Sequence, residues 1–205
     1  VNGTGSSATI TGDGNFVTIA GTSDQVTLIG TSDTLTISGS YNTLSTSSVT
    51  TATISGTGNI ATLNGNGSGA LVNGTSDTVT LTGTGATVNV GGNRNRVNVS
   101  SGSVAVNVGP GGFATVAGDN DTVGLLSNGT SLDVTGSNER INVSGSNDTV
   151  TATGTSNIVT IFGLSDRVTL NGDAASVTLT GNASFTNLTL TGAGDSVKID
   201  GGTSG

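Results

Sequence analysis

The residues of this chain that could do chemistry are few, and most of them are acidic. Asp33, Asp77, Asp148 and Asp166 each stand two residues before an aliphatic residue. Carboxylate oxygens are ligands that Ca²⁺ prefers, but a calcium site usually needs several of them. Because the whole chain contains only 13 acidic residues, the four aspartates are weak calcium candidates.

Catalytic residue types are scarce as well. The chain contains no His and no Cys, so it lacks the commonest general base and the thiolate nucleophile. Asp119 and Asp121 could be posed as a general acid and base, but isolated carboxylates in turns are usually hydrated or capping groups. The sequence therefore predicts neither an enzyme nor a cofactor.

The acidic residues belong to a nonapeptide, seen best at Gly74–Thr82, which reads Gly-Thr-Ser-Asp-Thr-Val-Thr-Leu-Thr. Position one is usually Gly and position four usually Asp or Asn. Positions six and eight are aliphatic, and the alternation in this half predicts a short half-buried strand. The first half is typical of a turn, in which Gly supplies a backbone angle that other residues resist. Each copy thus predicts a turn followed by a strand of about five residues.

Twenty-two copies follow one another without a linker and predict one continuous array over residues 1–205, a segment of a longer array or fibre. The copies at Gly39 and Pro110 are one residue short, and the copy at Gly181 has two extra residues within 182–186. Val1-Asn2 fits the last two positions of a preceding copy. Both ends therefore predict open strand edges that invite pairing.

The fold class follows from the inward positions. We expect an all-β parallel β-solenoid with two sides, about 18 residues per coil and about eleven coils, because two aliphatic residues per strand fill the space between two facing sheets. A three-sided coil of about 27 residues is the alternative. The expected inward pairs are Val17/Ile19, Val26/Leu28, Leu35/Ile37, Val79/Leu81, Val88/Val90, Val97/Val99, Val106/Val108, Ile141/Val143, Val168/Leu170, Val177/Leu179 and Val197/Ile199, with smaller residues at Ala52, Ala61, Ala70, Ala114 and Ala152.

Position four shares the inward parity and lies where the chain turns. Stacked Asn and Asp side chains there can satisfy backbone groups from coil to coil, which matters because buried backbone polar groups must be paired. The predicted structural turn ladder comprises Asn15, Asp24, Asp33, Asn42, Asn59, Asp77, Asn95, Asp121, Asp148, Asn157, Asp166 and Asp195.

The Asp-x-aliphatic half of the copies resembles the calcium-binding β-rolls of the repeats-in-toxin type. Asp77-Thr78-Val79 matches that part of the family's pattern, Gly-Gly-x-Gly-x-Asp-x-aliphatic-x. Thr75 and Ser76 depart from its glycine-rich half. The resemblance implies a β-roll fold and, as an alternative function, a calcium-dependent binding module.

Outward threonines form a second pattern. Thr pairs such as Thr34/Thr36, Thr78/Thr80 and Thr149/Thr151 resemble the ladders of β-solenoid antifreeze proteins, which implies ice binding as a further alternative. Thr is also favoured on strand surfaces for its β-propensity alone. Four asparagines interrupt the ladders, namely Asn89, Asn98, Asn107 and Asn142.

Charge and composition narrow the classes of partner. The net charge is −8 and only five residues are cationic, spread so that no basic stripe for nucleic acid forms. No apolar run approaches the length of a membrane span.

An adhesin with a surface glycan or matrix partner would use an unusual patch, for which 93–96, Phe113 and Phe185 are the candidates. The favoured function is a secreted or cell-surface structural element that associates end to end.

Overall fold

The structure, a computed structural model, describes residues 1–48, 50–181 and 186–200. These residues form strands joined by turns, and within them no helix is long and apolar enough to cross a membrane. The strands are β1 (Ser7–Thr11), β2 (Phe16–Ile19), β3 (Gln25–Ile29), β4 (Asp33–Ile37), β5 (Thr43–Thr46), β6 (Thr50–Ile54), β7 (Ile60–Leu63), β8 (Gly69–Val72), β9 (Thr78–Leu81), β10 (Thr87–Val90), β11 (Arg96–Val99), β12 (Ala105–Val108), β13 (Phe113–Ala117), β14 (Thr122–Leu125), β15 (Ser131–Thr135), β16 (Arg140–Val143), β17 (Thr149–Thr153), β18 (Ile158–Ile161), β19 (Arg167–Asn171), β20 (Ser176–Thr180), β21 (Asn187–Thr191) and β22 (Ser196–Asp200).

The strands build a two-sided parallel β-solenoid. Odd-numbered strands form one sheet of eleven strands and even-numbered strands form the other, each in chain order. We call them the first and the second sheet. Val79 of β9 pairs with Val97 of β11, so each coil consists of two nonapeptides. The predicted two-sided coil is therefore confirmed, and the three-sided alternative is wrong.

The irregular copies keep the inward residues inward. Leu44 of β5 pairs with Ala61 of β7, and Val97 pairs with Ala114, so each of these two coils is one residue shorter than a regular coil. Val168 pairs with Leu188, across a coil that is two residues longer. A slip within a strand would turn its apolar side chains to solvent, so the changes in length fall in the turns. Most of the extra segment, residues 182–185, and with it the surface candidate Phe185, lies outside the described residues.

The core is one apolar seam between the sheets. Most of the inward residues at positions six and eight, among them Leu28, Leu81, Ile161 and the smaller Ala61, are fully buried, whereas those near the two ends are half-buried or exposed. Burial of this surface is the main stabilising contribution to such a thin fold. Val197 and Ile199 of β22 are 47% and 76% exposed, because β22 lies at an edge of the second sheet.

Candidate functional site

Polar side chains form two columns inside the solenoid, one at the start of each sheet's strands. Each column consists of the position-four residues of successive coils. The first column is Ser6, Asp24, Asn42, Asn59, Asp77, Asn95, Gly112, Thr130, Asp148, Asp166 and Thr186. The second column is Asn15, Asp33, Thr50, Ser68, Ala86, Val104, Asp121, Glu139, Asn157, Ala175 and Asp195. Most of the polar members are buried, whereas Asn15 and Asp195 near the two ends are half-buried.

The side chain of one coil accepts a hydrogen bond from the backbone of the coil before it. In the first column Ser6 N–H donates to Asp24 Oδ1 at 2.7 Å, and Asn59 N–H donates to Asp77 Oδ1, also at 2.7 Å. In the second column Val104 N–H donates to Asp121 Oδ1 at 2.8 Å. These N–H groups lie where the chain turns inward, so each side-chain oxygen pairs a backbone donor that would otherwise be buried without a partner.

The asparagines of the first column make a second contact with the glycine at position one. Nδ2 of Asn42 donates to the carbonyl of Gly21 at 3.1 Å. Nδ2 of Asn95 donates to Gly74 O at 3.0 Å and to Gly91 O at 2.6 Å. An amide suits this place because it presents an acceptor to one backbone group and a donor to another.

The carboxyl side chains of the columns make only the first of these two contacts. Their second oxygen is buried and has no hydrogen-bond partner, and the set comprises Asp24, Asp33, Asp77, Asp121, Glu139, Asp148 and Asp166. A buried acceptor facing other acceptors is unfavourable. The unpaired oxygen is therefore the unusual chemical feature of the interior.

Burial raises the pKa of several of these groups and so makes them weaker acids. It is the largest cause that raises the pKa of Asp77 and Asp148 above the ordinary value, against the lowering effect of their hydrogen bonds to backbone N–H groups. Burial, together with the charges of Asp121 and Asp119, raises the pKa of Glu139 to about 7. Desolvation acts in this direction because it disfavours the charged form.

Sequence reasoning named only the Asn and Asp members of the columns. It missed Glu139, which accepts from Asp121 N–H at 2.9 Å through Oε2, and Thr130, whose N–H and Oγ1 both donate to Asp148 Oδ1. It also missed Ser68, which accepts from Thr50 N–H. All of them stand at position four of their copies, so counting the repeat without filtering by residue type would have found them.

A further ladder on the outside of the turns was also missed. The position-two side chain of one coil accepts from the position-two N–H of the next coil. Asp119 Oδ1 accepts from Ser137 N–H at 2.8 Å, and Asn66 Oδ1 accepts from Thr84 N–H at 3.0 Å. The recurrence of Asp, Asn and Ser at position two was the available signal, since these side chains pair readily with nearby backbone.

Position-one glycines are required for space, and about half of them for a backbone angle as well. A Cβ on Gly163 would lie 1.5 Å from the carbonyl oxygen of Gly145 in the preceding coil. Gly118 and Gly154 have positive φ, as expected from the sequence, but Gly163 does not. The left-handed residue that recurs is at position three, for example Ser76 with φ 58°.

The four calcium candidates are not gathered into a site. Asp33, Asp77, Asp148 and Asp166 all lie buried in the columns, and no group of three acidic, His or Cys side chains that could hold a metal ion occurs in residues 1–48, 50–181 and 186–200. The carboxyl groups of Asp119 and Asp121 lie in different environments. Asp121 is buried in the second column, whereas Asp119 is exposed at the surface of the turn.

The outer faces of the two sheets differ in regularity. On the first sheet the position-seven residues are Thr9, Thr27, Ser45, Thr62, Thr80, Asn98, Thr115, Asp133, Thr151, Thr169 and Thr189. On the second sheet they are Thr18, Thr36, Thr53, Leu71, Asn89, Asn107, Gly124, Asn142, Thr160, Thr178 and Lys198. Three of the four interrupting asparagines thus fall on the second sheet, and the first sheet carries Thr or Ser at every position except Asn98 and Asp133.

The residues of the predicted surface patch at 93–96 do not all lie on the surface. Asn95 is buried in the first column, whereas Arg94 lies in the turn with φ 56°. Arg96 points outward, with its guanidinium 5.3 Å from the centre of the Phe113 ring in the next coil. Such a cation–π pair at an exposed position is worth about 0.5–1 kcal/mol. Use of this patch by an adhesin stays a prediction.

Comparison of the chain with protein-family models, with curated proteins and with solved structures found no match.

Proposed function

We propose that the chain is a structural element of a secreted or cell-surface fibre: a filament, stalk, surface-layer or matrix component that associates end to end. The observation that carries the proposal is that hydrogen bonding runs along the solenoid axis in the turns as well as in the strands. Thr78 N–H, where β9 begins, donates to Asn59 O of the preceding coil, while Ser76 N–H in the turn donates to Asn93 O of the next. The coils of a second molecule can stack on this solenoid through hydrogen bonds of the same kind.

The sides and the ends of the solenoid differ in what they offer a partner. Its sides present mostly short polar side chains that change from coil to coil, with scattered exposed apolar residues such as Phe16, Tyr41 and Leu126. Among residues 1–48, 50–181 and 186–200, β22 is the last strand of the second sheet, and the inward apolar side chains of its Val197 and Ile199 are exposed. Strand edges are templates for pairing with another chain, so a second copy that continues the sheets is the partner that fits.

Electron microscopy of the purified protein, with and without a calcium chelator, tests the proposal. We expect filaments of one solenoid's width whose length does not change in chelator, because the buried columns are paired by backbone groups rather than by an ion. Discrete particles that lose their far-UV β signal in chelator would contradict this expectation and favour the calcium-dependent module.

Charges introduced at the edge strand give a sharper test. The double variant Val197→Asp/Ile199→Asp places carboxylates where a docked coil would bury them, so we expect filaments to shorten to single units. Ser196→Asp is the matched control, because it adds a charge on the outward side of the same strand. Equal filament lengths for the double variant and the wild type would exclude association through this edge.

A second candidate function, ice binding, is favoured by the position-seven Thr and Ser residues on the first sheet. Parallel strands repeat at about 4.8 Å, so these residues form a row of methyl and hydroxyl groups that is interrupted at Asn98 and Asp133. If it binds ice, Thr80→Lys/Thr151→Lys on the first sheet abolishes inhibition of ice recrystallisation, and Thr36→Lys/Thr160→Lys on the second sheet does not. No inhibition by the wild type would eliminate this candidate.

A further inference from the structure

The buried carboxyl side chains occupy the place that asparagines occupy elsewhere in the first column. Asn59 Nδ2 donates to Gly39 O of the preceding coil at 3.0 Å. A Cβ built on Gly74 would lie 1.9 Å from Asp77 Oδ2 and 2.6 Å from the carbonyl oxygen of Gly56 in the preceding coil. The free oxygen of Asp77 and the carbonyl oxygen of Gly56 therefore lie beside Gly74 as the Asn59 amide nitrogen and the carbonyl oxygen of Gly39 lie beside Gly56.

The same juxtaposition recurs further along the column. A Cβ on Gly163 would lie between Asp166 Oδ2, at 2.6 Å, and the carbonyl oxygen of Gly145, at 1.5 Å. In an ionised carboxylate both of the facing groups would be acceptors, and neither could bond the other. One hydrogen placed on Oδ2 converts the pair into a donor and an acceptor.

Among the residues that the structure describes, no cationic side chain forms an ion pair with these carboxyl groups. The column neighbours of Asp77 are the neutral Asn59 and Asn95. Asp148 and Asp166 neighbour each other, with Thr130 on the preceding coil and Thr186 on the following one. Residues inward of the columns are apolar.

Glu139 lies between Asp121 and Asn157 in the second column, and the exposed Asp119 of the neighbouring turn adds a further negative charge. Within the described ranges the one ion pair joins Lys198 to Asp200, at the surface. Arg140 and Arg167, which follow column residues, point outward from their strands.

We propose that Asp77, Glu139, Asp148 and Asp166 are protonated in the folded solenoid, with Oδ2–H (Oε1–H in Glu139) donating to the carbonyl of the position-one residue of the preceding coil. Each protonated aspartic acid then acts as an isostere of asparagine, and Glu139 as an isostere of glutamine. The folded array holds protons that the unfolded chain releases, so the solenoid is stabilised by acid and weakened as the pH rises. This property is independent of the proposed function.

The direction of the pH dependence follows from linkage. The pKa of Glu139 is raised from 4.5 to about 7 in the folded chain. Its contribution to the stability of the fold is therefore complete below pH 4.5 and is lost as the pH rises from 4.5 to about 7. The pKa is also raised from 3.8 in Asp77, Asp121, Asp148 and Asp166. The contribution of each of these residues to stability is therefore also lost as the pH rises above 3.8. For each such carboxyl the unfolding equilibrium constant rises by up to about tenfold per pH unit within its window.

Removal of the titrating groups tests the proposal. We expect the unfolding equilibrium constant of the wild type, measured in urea, to increase by at least about tenfold between pH 4 and pH 8. In the variant Asp148→Asn/Asp166→Asn the amides keep both contacts at every pH, so the increase is smaller and the variant is the more stable protein at pH 8. Glu139→Gln acts in the same way over the range from pH 4.5 to 7.

Asp133→Asn is the control, because Asp133 is exposed on β15 and its replacement converts an aspartate to asparagine without touching a column. We expect its pH profile to follow that of the wild type. A wild-type profile that is flat or rises between pH 4 and pH 8, or an Asp148→Asn/Asp166→Asn variant no more stable than the wild type at pH 8, would overturn the proposal.

A spectroscopic measurement on the folded wild type does not depend on the stability of any variant. Infrared difference spectra at pH 6 should contain a carbonyl stretch of protonated carboxyl groups that shifts in D₂O. This band should weaken in Asp148→Asn/Asp166→Asn and keep its intensity in Asp133→Asn. Its absence from the wild type at pH 6 would show that the column carboxyls are ionised.

Discussion

Replacing Gly163 by alanine lowers the free energy of unfolding by about 3 kcal/mol or more, the upper part of the range for overpacking a close contact. The new Cβ would lie 1.5 Å from the carbonyl oxygen of Gly145 and 2.6 Å from Asp166 Oδ2. Neither atom can move freely, because the carbonyl is part of the backbone and the carboxyl is packed in the first column. The two coils must separate locally, and urea unfolding measures the resulting loss.

Gly69→Ala is the matched control for this prediction. Gly69 lies in β8 facing outward, and a Cβ built on it meets no atom within 4 Å. We expect its effect to stay within about 0.5 kcal/mol, as for most surface substitutions. Similar losses in the two variants would mean that glycine at position one is not required by the close approach of neighbouring coils.

Asn95→Ala is expected to reduce the free energy of unfolding by about 4 kcal/mol, because it leaves several buried polar groups unpaired at about 1–3 kcal/mol each. The fully buried Asn95 side chain accepts from Asp77 N–H at 2.9 Å and donates to Gly74 O and Gly91 O. Alanine restores none of these bonds, and the site has no access to bulk water that could replace them.

Two further variants identify the cause of that loss. Asn142→Ala removes an exposed asparagine of β16 and should change stability by less than about 0.5 kcal/mol. Asn95→Asp keeps the shape of the side chain and, when protonated, its donor, so we expect it to approach wild-type stability at pH 4 and to lose stability at pH 8. If Asn95→Ala were as mild as Asn142→Ala, the column would contribute little to the fold.

Much of the architecture could be predicted because the same residue pattern recurs in every copy of the nonapeptide. The alternation in Thr78-Val79-Thr80-Leu81 indicates a strand with one buried face, and its recurrence in every nonapeptide indicates stacking. Two aliphatic side chains per strand are enough to fill a flat two-sided core. The inward set and the coil of two nonapeptides follow from these local features, since side-chain parity along a strand does not depend on its neighbours.

Other features depend on which coils become neighbours. Nothing local in Gly163 shows that the carbonyl of Gly145 approaches it, and the role of its missing side chain was therefore assigned to backbone angle. Nothing local in Glu139 distinguishes a buried column member from a hydrated turn residue. The face of the first sheet rich in Thr and Ser became visible only when alternate strands were assigned to separate sheets, which moved Asn89, Asn107 and Asn142 away from Thr80 and Thr151.

Patterns within one or two copies are thus enough to predict the strand and turn alternation, the inward residues and the solenoid class. The tertiary structure decided which backbone N–H each column side chain pairs, why position one lacks a side chain, and where a buried carboxyl oxygen faces a carbonyl. Those properties arise from contacts between residues 17 to 21 positions apart in the chain, and the environment created by the neighbouring coil sets the protonation of an acid that would be ionised in water.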